Sequence, residues 1–176
     1  MAAPSLPLTP SFPAIAAQTI KIEGGFVDNP QDPGGATNLG VTQRVLDAMR
    51  REHPDWMLPP SVADLAEPQA VLIYRTYWDA IRGDALPTPL ASCVFKQAIN
   101  QGATRAIIEL QMSLGVALDG NLGPVTIAAA NRKDALDGVV DFIACAELNY
   151  ARSADFPLFG KGWFRRATRT AIQAFS

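Results

Sequence analysis

Apolar positions recur along this chain at three- and four-residue spacing, and proline or glycine separates the segments they mark. Phe12, Ile15, Ala16, Thr19 and Ile20 share one face of a helix that Ser11 can cap. Gly24 stops it, so Glu23 falls at its last turn on the continuation of the inward face. Thr42 can cap a second helix with Val45, Leu46 and Met49 facing in, and His53-Pro54 closes it. A connection over 54–60 leads to a short segment at 62–65. Pro68 then suits the first turn of a helix carrying Val71, Tyr74, Tyr77, Trp78 and Ile81. Leu90, Cys93, Val94, Gln97 and Ala98 predict the next helix. Thr104 is the expected cap of the one with Ala106, Ile107, Leu110 and Leu114. Pro124 opens a helix of Val125, Ile127 and Ala128, and a long one spans 136–151. Gly160-Lys161-Gly162 is expected to break the chain before a last helix that starts near Trp163.

No alternating run is long enough to build a sheet, so strands are confined to the glycine-rich loop or irregular hairpin over 26–41. The pattern predicts a mainly α fold. Residues 1–10 form a Pro/Ser-rich lead-in, and 11–176 form one domain of two helical lobes with a boundary near 83–89.

Composition narrows the function classes. Hydrophobic residues at 48% and charged residues at 18% suit a globular core. The net charge of −2 gives no overall case for nucleic acid, and none is expected as partner. The charge is uneven: Arg152, Lys161, Arg165, Arg166 and Arg169 face a single acid, Asp155, after residue 150. That basic end either meets an anionic polymer or is a solvated helix face. Cys93 and Cys145 sit in apolar patterns and read as small buried hydrophobes, not a disulfide framework. The one histidine, His53, borders a loop, which argues against a histidine-based zinc site or a Ser-His-Asp triad. No apolar run reaches 18 residues, and stable membrane insertion is not expected. The start lacks a basic segment and carries four prolines. It therefore predicts synthesis without a secretory signal, and action in the periplasm or wall only after release, or as part of a virion.

The chemistry concentrates in EGGFVDNPQDPGGATNLGVT, residues 23–42. A carboxylate on an apolar face at a helix C-terminus is disfavoured when charged, by desolvation and by the helix dipole. A general acid needs that property. Glycoside hydrolysis pairs such an acid with a second polar group that positions water or stabilises developing positive charge. Asp32 lies nine residues beyond Glu23 across a tight loop, and Thr37 and Asn38 supply short side chains able to hold a water. Tyr77 and Trp78 are either sugar-cleft aromatics or core. Asp28, Asn29 and Asp32 offer hard oxygen ligands, and Asp119 with Asn121 begins like a calcium loop. The twelfth position of that loop is Ala130 rather than glutamate, so no metal site is expected. Phosphate-loop, dinucleotide, HExxH and paired CxxC motifs are missing, and no cofactor is expected.

The 23–42 stretch resembles the signature of glycoside hydrolase family 108 muramidases, phage- and prophage-type endolysins of the lysozyme-like superfamily. The likeness continues through Tyr74, Tyr77 and Trp78, through 95–102, and through LQMSLGVALDGNLGPVT at 110–126. That last segment is similar to the family's peptidoglycan-associated C-terminal region. Gly162-Trp163 with Arg165-Arg166 resembles the family's ending. The resemblance implies an α+β lysozyme-like fold, with the short loop or hairpin flanking a cleft between the lobes. It also implies cleavage of the β-1,4 bond between N-acetylmuramic acid and N-acetylglucosamine in peptidoglycan, by a monomer. The family's catalytic glutamate corresponds to Glu23. Related phage lysozymes have a Glu-to-Asp spacing that Glu23 and Asp32 reproduce, and a threonine slightly further on, here Thr37 with Asn38 as neighbour. Asn100 and Gln101 match polar positions near the family's cleft and are carried as sugar contacts. Inversion by a positioned water is the expected chemistry, with a retaining route, lytic transglycosylation and a non-catalytic wall binder as the alternatives. For the DGNLGP turn the expectation is structural: Gly120 and Gly123 make it and Asp119 caps it.

Overall fold

The structure is a computed structural model that describes residues 12–28 and 35–175, with the backbone alone at Glu23. Among these residues are eight α-helices and one two-stranded antiparallel sheet, a mainly α, lysozyme-like fold. The chain divides into two compact units, 10–76 and 77–176, described in turn.

In the first unit, α1 (Phe12–Glu23) buries Phe12, Ile15, Ala16, Thr19 and Ile20, the face its apolar spacing marks. The Thr19 hydroxyl is buried and donates to the Ile15 carbonyl at 2.8 Å, so it belongs to the helix's own backbone. Gly24 ends α1 at φ +82°, a left-handed value that glycine reaches without a Cβ clash, and its N–H donates to Ile20 O at 3.1 Å. Strands β1 (Thr37–Asn38) and β2 (Val41–Thr42) are joined by Leu39 and Gly40, both at positive φ. That is the type I′ geometry of a two-residue hairpin. Leu39 is an unusual residue for it. The Tyr74 hydroxyl, from α3 (Glu67–Ala80), donates to its carbonyl at 2.7 Å and holds the turn in place. Helix α2 (Gln43–Glu52) is capped as expected, with Val45 N–H donating to Thr42 Oγ1 at 3.3 Å. Gln43 at its start ties it to the next connection, donating to Pro60 O at 2.9 Å and accepting from Val62 N–H at 2.7 Å.

The second unit is organised around α4 (Thr88–Gln101), which packs against α5 (Ala103–Leu114), α7 (Ala135–Ala151) and α8 (Phe156–Gln173). Every residue of α4 from Leu90 to Ala98 is buried, the signature of a helix enclosed on all sides. Gly83, in the 3-10 turn Gly83–Ala85 ahead of α4, lies under the Trp78 indole; a Cβ there would stand 2.3 Å from Trp78 Cε2.

Three local expectations are corrected here. Helix α8 starts at Phe156, not near Trp163, and runs through Gly160-Lys161-Gly162 without a break. Gly160 is buried beneath the Phe156 ring, where a Cβ would come within 2.4 Å of Cε2, so close packing rather than a turn explains that glycine. Thr104 does not cap α5; Gly102 takes that place at φ +88°. In α6 (Pro124–Arg132) Val125 is exposed, and Thr126 and Ala130 face inward instead. The Gln111 amide group reaches Thr126 Oγ1 at 3.4 Å, and this polar partner sets the inward face. The DGNLGP turn is structural: Gly120 has φ +71°, and Asp119 accepts from Asn121 N–H at 2.9 Å and Gln111 Nε2 at 2.6 Å. Those two donors, the backbone one foremost, hold the Asp119 carboxyl below its usual range.

Candidate active site

The residues singled out in 23–42 occupy a helix end and the hairpin that follows it. Glu23 is the last residue of α1. Four residues on, Val27 pairs with Thr37 through two backbone hydrogen bonds of 2.8 Å each. This bridge joins the chain leaving α1 to β1, so a covalently short path and a two-bond clamp both link Glu23 to the hairpin. Asp32 falls between the clamped residues and lies outside the described residues.

Thr37 is half-buried, and its hydroxyl donates to Gly35 O at 3.3 Å. A hydroxyl has one hydrogen and two lone pairs, so Oγ1 keeps the capacity to accept. Asn38, next in β1, points the other way, as strand alternation requires, and is 7% exposed. Its Nδ2 lies 3.0 Å from Val62 O and 3.3 Å from the carbonyls of Ala63 and Leu65. Two N–H hydrogens are thus shared among three acceptors, and they fasten the hairpin to the 3-10 turn Val62–Asp64.

The aromatic pair separates. Tyr77 is half-buried. Trp78 is 3% exposed, donates from Nε1 to Asp84 Oδ1 at 2.9 Å, and meets Phe95 edge-on with centroids 5.6 Å apart. Its indole is part of the core of the 77–176 unit.

Asn100 and Gln101 stand at the exposed end of α4 and line a pocket of about 460 Å³. Asn100 Nδ2 donates to Lys96 O at 2.7 Å, and its Oδ1 accepts from Arg166 Nη1. Beside this pocket lies a buried polar network that no single segment of the sequence announces. Glu109 is 0% exposed and accepts from Gln97 Nε2 at 2.7 Å, Asn149 Nδ2 at 3.0 Å and Arg105 Nε at 3.3 Å. Tyr150 donates its phenol to Gln97 Oε1 at 2.8 Å, and burial raises its pKa, which keeps that proton in place. The side chains come from α4, α5 and α7, up to 53 positions apart, and only folding brings them together. The available signals were Glu109 and Gln97 at inward helical positions, polar residues where the period calls for apolar ones.

The family profile described as Glycosyl hydrolase 108 matches residues 16–102, from inside α1 to the end of α4. Among solved structures, that of Brucella abortus SagA is similar at 34% identity with a TM-score of 0.83, over 93% of this chain and 92% of that one. No curated protein sequence matches. The matched profile is that of a glycosidase and supports peptidoglycan hydrolysis as the general activity. The match to the helix end and hairpin that carry the candidate acid, joined to a likeness running nearly end to end through both units, shows that the chain belongs to the glycosyl hydrolase 108 family.

Proposed function

We propose that this protein is a muramidase that cleaves the β-1,4 bond between N-acetylmuramic acid and N-acetylglucosamine in peptidoglycan, with Glu23 as general acid. The observation that carries the reading is the position of Glu23: the last residue of α1, directly before the Val27–Thr37 clamp, within the segment matched by the glycosidase profile.

In this reading Glu23 gives its proton to the glycosidic oxygen as the bond to C1 breaks. Water adds to C1 from the opposite face and loses its proton to Asp32, which inverts the anomeric centre. Thr37 supports that water by accepting through Oγ1, the capacity its bond to Gly35 leaves open. Asn38 holds the hairpin so that Thr37 keeps its place. Tyr77, Asn100 and Gln101 are carried as glycan contacts.

The test is release of soluble fragments from purified sacculi by wild type and Glu23→Gln. Loss of a general acid is worth about 10²–10⁴-fold. A Glu23→Gln enzyme that keeps wild-type turnover would remove the assignment. Mass spectrometry of the products decides the bond: N-acetylmuramic acid reducing ends are expected. Anhydro ends would replace hydrolysis with transglycosylation, and N-acetylglucosamine reducing ends would move the cleavage to the other bond.

A further inference from the structure

The pocket at the end of α4 has a composition that glycan recognition does not account for. Three of its lining residues are arginines, Arg105, Arg152 and Arg166, and the one acid among them is Asp155. The arginines are unequally engaged. Arg105 uses Nε on the buried Glu109 carboxylate, and Arg166 uses Nη1 on Asn100 Oδ1. Each keeps at least one terminal amino group uncommitted. Arg152 follows the last residue of α7, and its side chain makes no hydrogen bond or ion pair among the described residues. Tyr150 and Trp163 form an aromatic wall, with ring centroids 5.4 Å apart, and Trp163 is itself stacked on Phe159.

These features belong together physically. The Glu109 network fixes Arg105 from below, and Asn100, itself tied to Lys96 O, fixes Arg166 from the side. Two guanidinium groups are thereby oriented before any ligand arrives, which removes part of the ordering cost of binding. A planar guanidinium matches a carboxylate in a paired, two-bond geometry. An aromatic wall beside it suits a short peptide backbone or an apolar side chain better than a bare ion.

We propose that this pocket binds a carboxylate of the acidic stem peptide of peptidoglycan, so that the 77–176 unit reads the peptide while the glycan is cleaved. The proposal rests on the hydrolase reading for its choice of carboxylate source. Its anion preference follows from the arginines alone.

The experiment uses the full chain and the free stem tetrapeptide released from sacculi by amidase digestion, titrated by calorimetry and by tryptophan fluorescence. Wild type is expected to bind the tetrapeptide, and its carboxyl-amidated form at least about 10-fold more weakly, the scale of a lost charge-assisted hydrogen bond. Arg152→Gln is expected to weaken tetrapeptide binding by about 10-fold or more with an unchanged melting temperature, and Arg152→Lys to fall between. Inorganic phosphate at equal concentration is expected not to displace the peptide. Equal affinity in Arg152→Gln, equal affinity for the amidated peptide, or displacement by phosphate overturns the proposal; the last would point to a phosphate-bearing wall polymer. Cleavage of peptide-free glycan strands is followed in parallel. Cleavage without tetrapeptide binding removes the pocket proposal and leaves the hydrolase; tetrapeptide binding by a wild type that cleaves nothing removes the hydrolase and leaves the pocket.

Discussion

Replacing Asn38 with alanine separates two roles that adjacent positions in the loop leave entangled, sugar contact and support of the hairpin. The amide nitrogen serves the carbonyls of Val62, Ala63 and Leu65, and the bonds to Val62 and Leu65 are buried. Alanine leaves the buried Leu65 carbonyl without this donor and with little access to water, while the Val62 carbonyl keeps the Leu65 N–H at 3.1 Å. An orphaned buried polar group costs about 1–3 kcal/mol. With one such group the loss is about 1–3 kcal/mol, a sizeable share of the ~5–15 kcal/mol that holds a typical domain together. For a chain of this size each kcal/mol moves the melting temperature by about 2–4 °C, so a drop of about 2–12 °C is expected. Asn38→Asp should be worse than alanine, because it sets an oxygen against three carbonyl oxygens. Circular dichroism melts of the three proteins, with sacculus hydrolysis measured well below the lowest melting point, provide the assay. If Asn38→Ala melts within about 1 °C of wild type while activity collapses, the support role is refuted and direct substrate contact takes its place.

Two further outcomes follow from buried groups in the 77–176 unit. Glu109→Ala removes a fully buried carboxylate and leaves the Gln97 and Asn149 amide groups and the Arg105 Nε without their acceptor. A loss of about 2–4 kcal/mol in urea unfolding is expected from the Gln97 and Asn149 amide donors left unsatisfied, while the half-exposed Arg105 turns to water, and a change under about 1 kcal/mol would show the network to be dispensable. Burial pushes the Cys93 thiol from 9.0 up to about 12, against a smaller opposing pull from Lys96. The unfolded chain therefore releases a proton above pH 9 that the folded chain keeps. The stabilising contribution is complete below pH 9 and is lost as pH rises through about 12, with a slope of up to about 1.4 kcal/mol per unit. Tyr150, also raised by burial, adds its own loss above pH 10, so the informative quantity is the difference between wild type and Cys93→Ala. Parallel stability curves for the two would rule out the Cys93 contribution.

Much of the fold could be read along the chain because helices are local. The 3.6-residue period places Phe12, Ile15, Ala16, Thr19 and Ile20 on one side whatever they pack against, and the structure buries all five. The cap at Thr42 and the stop at Gly24 are settled within four residues of backbone, and both occur where the residue types predict. The 23–42 motif likewise carried its family in its own residues, and the profile match and the SagA likeness agree with it.

What the sequence could not settle by itself depends on partners far along the chain. Gly160 reads as a helix breaker until the Phe156 ring lies over it; then it is the residue that lets the helix pass. Asn38 reads as a water-holding neighbour of Thr37, yet its donors go to carbonyls 24 to 27 positions away. Gln97, Glu109, Asn149 and Tyr150 are unremarkable polar residues on three separate helices until packing seals them from water, after which each must find its partner among the others. Periodicity assigns a residue to a face. Only the tertiary structure decides whether that face meets a hydrocarbon, a carbonyl, a guanidinium or solvent, because hydrogen-bond energies and desolvation costs depend on what is brought within about 3 Å.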